Sequence, residues 1–257
     1  SLTLRPVTWP AGAKAPRVSP RISLVPASDG RTLYVCVYGL EGGRRLQATV
    51  VQPGGLASQS TELAYSDTAG VYEGSLAFLE AVLGDGDAWV REIGAQDEPL
   101  YLYSPFVLSR VSAAAGSDLF SEDGNLFLYV DEGSLPAGEA YAVIMPLSAP
   151  PAPPQGLALV GSAYEIKFSG AMTELARPGL LKMRFGPDTR GGQHPQTLGL
   201  YAWDHLDSSW HALESALSER DASLVHATRR LGIYALMAPA GTEHRLHLPR
   251  IERAHSP

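Results

Sequence analysis

Apolar and polar residues alternate in short runs along most of this chain, and Gly, Pro, Asp and Ser cut the runs apart. A period of two sends successive side chains to opposite faces of a strand, and the interrupting residues are those that turns require. Residues 21–25 alternate and lead into Ala27-Ser-Asp-Gly30. The Asp-Gly pair there signals a hairpin, because Gly tolerates positive φ. Residues 32–38, 46–51, 60–65, 70–78, 88–93 and 99–108 repeat the pattern, and Leu83-Gly-Asp-Gly-Asp87 reads as a turn. Seven short strands at this spacing predict an immunoglobulin-like sandwich over 21–111, without the usual cysteine pair. Trp89 lies in one of these alternating runs and is expected in the core.

Periodicity fails at Ser112-Ala-Ala-Ala-Gly-Ser117, which reads as a linker. A second block follows, with the turn Ser121-Glu-Asp-Gly-Asn125 and strand-like runs at 126–130, 140–145, 157–160, 163–168, 180–185, 198–203, 210–213, 224–228 and 232–237. Pro150-Pro-Ala-Pro-Pro154 reads as a short stiff spacer. In the run at 198–203, Leu198, Leu200 and Ala202 alternate with Gly199, Tyr201 and Trp203. Turn formers fill Asp204 to Ser209, and Trp210 opens the return strand, so an aromatic pair is expected across this hairpin. Helical turns are conceivable only at 75–82 and 214–220. The fold class is therefore all-β: two tandem antiparallel β-sandwiches at 21–111 and 118–240. An N-terminal linker or edge segment at 1–20 and a polar C-terminal tail at 241–257 flank them.

Composition narrows the function classes. A net charge of −7, with no Lys/Arg stripe interleaved with aromatics, argues against nucleic acid as a partner. Cys36 is the sole cysteine, so an intrachain disulfide framework and a cysteine zinc site are excluded. Its strand-like setting predicts a buried small hydrophobe. No apolar run approaches the roughly 18 residues of a membrane helix, so no membrane insertion is expected. The chain begins with Ser1 rather than Met, and is expected to be an excised piece or a mature product.

Several segments of the second block carry a family likeness. Gly133-Ser-Leu-Pro-Ala-Gly138, Arg177-Pro-Gly-Leu-Leu-Lys-Met-Arg-Phe185 and the hairpin from Tyr201 to Leu213 occur in that order. Arg230-Leu-Gly-Ile-Tyr-Ala-Leu236 closes the series. Together they resemble the β-sandwich family of ankyrins, netrin receptors and zonula occludens proteins. In the first block, Gly70-Val-Tyr-Glu-Gly74 resembles the entry into a late strand of bacterial surface immunoglobulin-like modules. The resemblance implies a bacterial, extracellular module. It also implies a place for self-cleavage, where relatives cut at His–Leu/Phe–Ser/Thr through an N-to-O acyl shift. Here the aligned residues are Arg230, Leu231 and Gly232. Glycine has no nucleophile and arginine is no base at neutral pH, so an uncut chain is expected. His226 and Thr228 offer a displaced His and Thr, read as exposed polar residues on one strand face.

Asp204, His205, Asp207 and His211 cluster in sequence and suit zinc, but Asp204 and Asp207 are also the expected turn residues. Calcium at Asp85 and Asp87, or at Glu122 and Asp123, lacks the oxygen spacing of a known loop. The acidic pairs Glu122/Asp123 and Asp131/Glu132 are sequence neighbours, so on a strand they point to opposite faces and read as solvated turn ends. Gly-x-Ser-x-Gly, His-Glu-x-x-His and the P-loop pattern are absent. Trp9, Trp89, Trp203 and Trp210 are the aromatic candidates for a sugar platform. The reading is a non-catalytic structural, adhesive or accessory module of a larger secreted or cell-surface protein. Its expected partners are other domains of the same polypeptide, a surface protein or a glycan. No catalytic residues, no cofactor and no metal site are expected, with calcium at the Asp85/Asp87 or Glu122/Asp123 loops left open as an alternative. A carbohydrate- or protein-ligand-binding module that uses loops at one sandwich end is the alternative; a hydrolase with a site assembled from distant residues is the third.

Overall fold

Period-two alternation becomes strands nearly everywhere the sequence shows it. The computed structural model describes residues 19–55, 57–95, 99–136, 138–186 and 194–240. Trp9, with most of the expected N-terminal segment, and the tail with His244, His247 and His255 lie outside the described residues. The first block contains β1 (Arg21–Pro26), β2 (Thr32–Tyr38), β3 (Leu46–Val51), β4 (Ser58–Ser66), β5 (Val71–Ala77), β6 (Gly84–Glu92) and β7 (Tyr101–Ser112). The second contains β8 (Ser117–Phe120), β9 (Leu126–Val130), β10 (Glu139–Leu147), β11 (Leu157–Phe168) and β12 (Glu174–Arg184). It continues with β13 (Gly199–Asp204), β14 (Ser209–Leu213), β15 (Ala216–Ser218), β16 (Ser223–Arg230) and β17 (Ile233–Pro239). The all-β class is observed, with antiparallel pairing in both sheets.

The sheets do not stop at the expected linker. A twelve-stranded sheet runs β1-β2-β5-β4-β3-β6-β7-β10-β11-β17-β13-β14, and a five-stranded sheet runs β15-β16-β12-β9-β8. At β4 the large sheet turns a corner, since 58–63 pair with β3 whereas 64–66 pair with β5. The layer β1-β2-β5 thereby folds over β3-β6-β7 and encloses the first core. The expected linker Ser112–Ser117 is a tight turn closed by a Ser112–Gly116 bridge. Before it, β7 pairs with β6 and with β10, which joins the blocks by backbone hydrogen bonds.

β10 shows how the two cores meet. Its Ala142 and Ile144 lie in the second core, under the five-stranded sheet. Its Val143 and Met145 lie in the first core, with Leu24, Tyr72 and Phe106. The two covering layers thus sit on opposite faces of one shared sheet, offset along it. β17 is also buried on both faces: Tyr234 and Leu236 belong to the second core, and Ile233, Ala235 and Met237 to a smaller third one. A strand covered on both sides must be apolar at every position, which accounts for the unbroken runs Ala-Val-Ile-Met at 142–145 and Ile-Tyr-Ala-Leu-Met at 233–237.

Local differences have local causes. The segments at 75–82 and 214–220, open to helix from sequence, contribute to β5 and β15. The turn expected at Leu83–Asp87 is instead the start of β6. Gly86 is not a turn residue there: a Cβ would come 2.5 Å from the Phe106 ring and 2.8 Å from the Val51 carbonyl oxygen. Tyr72 follows the expected entry pattern and is buried. Its hydroxyl donates to the Glu41 carbonyl at 3.1 Å and accepts from the Arg44 amide at 2.7 Å, pinning the β2–β3 connection.

Candidate functional site

Register across the β13–β14 hairpin sets Trp203 opposite Trp210. Their rings meet edge to face at 5.5 Å and 67°, the aromatic pair expected from the sequence. The Trp210 indole N–H reaches the carbonyls of Pro151 and Ala152 at 3.3 and 3.1 Å. The proline-rich segment is therefore a lid on the third core rather than a plain spacer.

On the other face of this hairpin, between β14 and β16, a cavity of about 260 Å³ opens beside the segment aligned with self-cleavage. Trp203, His211, His226, Thr228 and Arg230 are among its lining residues. The side chains there are tied to one another and to backbone carbonyls. His226 Nδ1 contacts the Glu214 carbonyl at 2.7 Å. Thr228, expected to be exposed, is buried, with its hydroxyl 3.0 Å from that of Tyr234. It is buried because β16 inserts it toward β17, where Tyr234 supplies a hydrogen-bond partner. Tyr234 donates to the Arg230 carbonyl at 2.5 Å, and Arg230 itself pairs with Asp204 at 3.1 Å. Gly232 supplies no hydroxyl to this arrangement.

Asp204, Asp207 and His211 come together, with one potential ligand atom from each lying within 4.8 Å of the others. Each carboxylate oxygen already has a partner. Asp204 Oδ1 accepts from the Leu206 amide at 2.8 Å and Oδ2 from Arg230. Asp207 Oδ1 accepts from the Ser209 amide and hydroxyl, and Oδ2 pairs with His211 at 2.7 Å. These are the bonds of a tight hairpin turn. His205 does not join them. Although the residue is exposed overall, desolvation of its ring, then the Lys167 charge, holds its pKa below the usual value.

His205 instead faces a polar cluster where β1 and β2 meet β11. Glu165 is 1% exposed and lies 3.4 Å from Lys167. Arg21 is buried too, its guanidinium 4.8 Å above the Tyr38 ring. Cys36 also faces this cluster and is only partly buried. Burial, then the Glu73 charge, pushes its thiol up to about 11, so it is a poor nucleophile.

The remaining acidic candidates divide. Asp123 lies in an exposed turn, as expected, and also ties that turn to β11. It accepts from Ser121 at 2.6 Å, from Asn125, and from the Tyr164 hydroxyl at 2.5 Å. Burial works against its ionisation, but these hydrogen bonds outweigh it and draw the pKa below the usual value. A depressed carboxyl pKa contributes stability above the unfolded value of about 3.9 that is lost as pH falls through the folded one. Urea midpoints should therefore drop between pH 6 and pH 3, and Asp123→Asn should flatten part of that drop. An equally steep drop in the variant would place the acid sensitivity elsewhere. Asp131 caps its own turn through the Glu132 amide at 2.8 Å. Asp87 accepts from the Tyr103 hydroxyl at 2.6 Å.

Trp89, expected in the core, lies on the opposite face from buried Ala88 and Val90 and is half-buried. It pairs across the ladder with Tyr103, which is 47% exposed. Sequence alternation separates Trp89 from Ala88 and Val90, but cannot tell which set faces the covering layer.

These features define an all-β protein of two antiparallel sheets. No family model matches the chain, and no curated protein matches it at a significant level. Among solved structures, the cycloalternan-degrading enzyme from Trueperella pyogenes is similar over 82% of this chain and 29% of that one, at 11% identity and a TM-score of 0.27. The same enzyme in complex with isomaltose covers 86% of this chain and 30% of its own, at 9% identity and a TM-score of 0.25. Likeness at that level says nothing about what this chain does.

Proposed function

We propose that this chain is a non-catalytic structural, adhesive or accessory module of a larger secreted or cell-surface protein. The shared sheet is the observation that supports this reading. Val143 and Met145 serve the first core, and Ala142 and Ile144 on the same strand serve the second. A hydrogen-bonded strand is a stiffer joint than a loop, because bending it breaks ladder bonds and opens both cores at once. Such a joint holds the two ends of a spacer at a fixed orientation. The net charge of −7 favours solubility.

The test is labelling of intact, non-permeabilised cells that make the full-length protein, with antibodies raised against this module. Surface labelling is the expected result, and labelling only after permeabilisation overturns the reading. Prolonged incubation of the purified module should leave one species of 27.4 kDa. Two fragments joined near Leu231 and Gly232 would instead demonstrate self-cleavage.

A further inference from the structure

The five-stranded sheet covers its face of the central sheet from Val111 and β10 onward. The same face of β4, β3, β6 and β7 has no covering layer among the described residues. Registers place its side chains in rows. One row is Ser60, Thr49, Trp89 and Tyr103. The next is Glu62, Gln47, Arg91 and Tyr101. Tyr101 is 63% exposed and Tyr103 is 47% exposed, on adjacent same-face positions of one strand, which sets them about 7 Å apart. The edge strand β8 packs against β7, and the charge of Glu122 in the following turn reaches Tyr103. The rings therefore line a flat floor with a step on one side.

We propose that this face binds an uncharged polysaccharide chain, with Trp89, Tyr101 and Tyr103 stacking on sugar rings. Three observations favour that occupant. The apolar surface here is aromatic rather than aliphatic, and ring faces match the C–H faces of pyranoses, whereas a protein interface core draws on a wider apolar set. Polar groups between the rings are fixed in place before any ligand arrives. Arg91 donates through Nε and Nη2 to Gln47 Oε1 at 2.9 and 2.7 Å, and Thr49 and Ser60 share a hydrogen bond of 2.8 Å. The Tyr103 hydroxyl is anchored on Asp87 at 2.6 Å, which fixes where its ring lies on the face. Gln47 also carries an amide nitrogen donor and Asp87 a second carboxylate oxygen acceptor, groups suited to sugar hydroxyls. Charge supplies the third argument. Arg91 is the single cation of these rows and Arg45 pairs with Glu62 at 3.1 Å, while Asp87 and nearby Glu122 have no cation partner among the described residues, so the face offers a polyanion no surplus of cations and suits a neutral polymer.

Affinity electrophoresis of the whole chain through gels containing neutral glucans, mannans or xylans tests this, with heparin and polygalacturonate as charged comparisons. Retardation by at least one neutral polymer is expected. The double substitution Tyr101→Ala, Tyr103→Ala should weaken it at least about tenfold, as loss of central aromatic anchors does. Tyr101→Phe should keep most of the binding, since the ring remains. Both tyrosines are largely exposed, so these variants should still unfold in one cooperative thermal transition, slightly lowered in the double variant by loss of the Asp87 hydrogen bond and the Trp89 contact, which separates lost binding from lost fold. No retardation by any neutral polymer overturns the proposal. So does retardation that survives the double substitution, or binding confined to the charged polymers.

Discussion

Trp210→Ala should destabilise the protein by about 3–5 kcal/mol, the range for removing a large buried aromatic. Trp210 is 8% exposed and packs with Leu147, Ala163, Ile233, Ala235 and Met237. It also holds down the proline-rich lid through its indole N–H and supports Trp203 edge to face. Truncation would open a cavity in a core that has no second sheet above it among the described residues. Two carbonyls of the lid would be left to water. Trp210→Phe keeps a ring but removes the donor, and should cost less. Urea unfolding followed by far-UV circular dichroism measures both. A loss below about 1 kcal/mol for the alanine variant, the size of an ordinary surface change, would mean the third core adds little.

Ile144→Ala and Met145→Ala should each cost about 2–5 kcal/mol, although neighbouring side chains on one strand report on different cores. Ile144 is buried beneath the five-stranded sheet and Met145 beneath the first block's layer. Their shared backbone makes the energetic coupling the informative part. If β10 is common to both cores, either substitution should lower the unfolding midpoint of both blocks together. Fluorine NMR of 5-fluorotryptophan-labelled protein resolves this, since Trp89 lies in the first block and Trp203 and Trp210 in the second. Coincident loss of the native Trp89, Trp203 and Trp210 resonances is the expected result. Early loss of Trp89 in Met145→Ala, with Trp203 and Trp210 still native, would show that the blocks unfold separately.

The strands were legible because alternation is a local property. The Trp203–Trp210 pair was legible for the same reason: a short turn fixes the register of the residues that flank it. The double burial of β10 was readable in principle. An unbroken apolar run among alternating ones signals cover on both faces, and Ala-Val-Ile-Met at 142–145 is such a run. The linker reading at 112–117 failed because small residues serve a tight turn as readily as a tether, and only the partner strand separates the two. Thr228 looked exposed because its buried partner, Tyr234, comes from another strand face. The cluster of Asp204, Asp207 and His211 was visible in sequence, but its hydrogen bonds to Arg230 and Ser209 were not.

By itself, the sequence determined the all-β class, nearly every strand, and the lack of a nucleophile at Gly232. These depend on residue type and on neighbours along the chain. Only the tertiary structure decided that one sheet serves both blocks, and that Trp89 faces outward beside Tyr101 and Tyr103. Alternation assigns residues to two faces, but which face is covered depends on where a distant layer docks. In this protein the two layers dock on opposite sides of the same sheet.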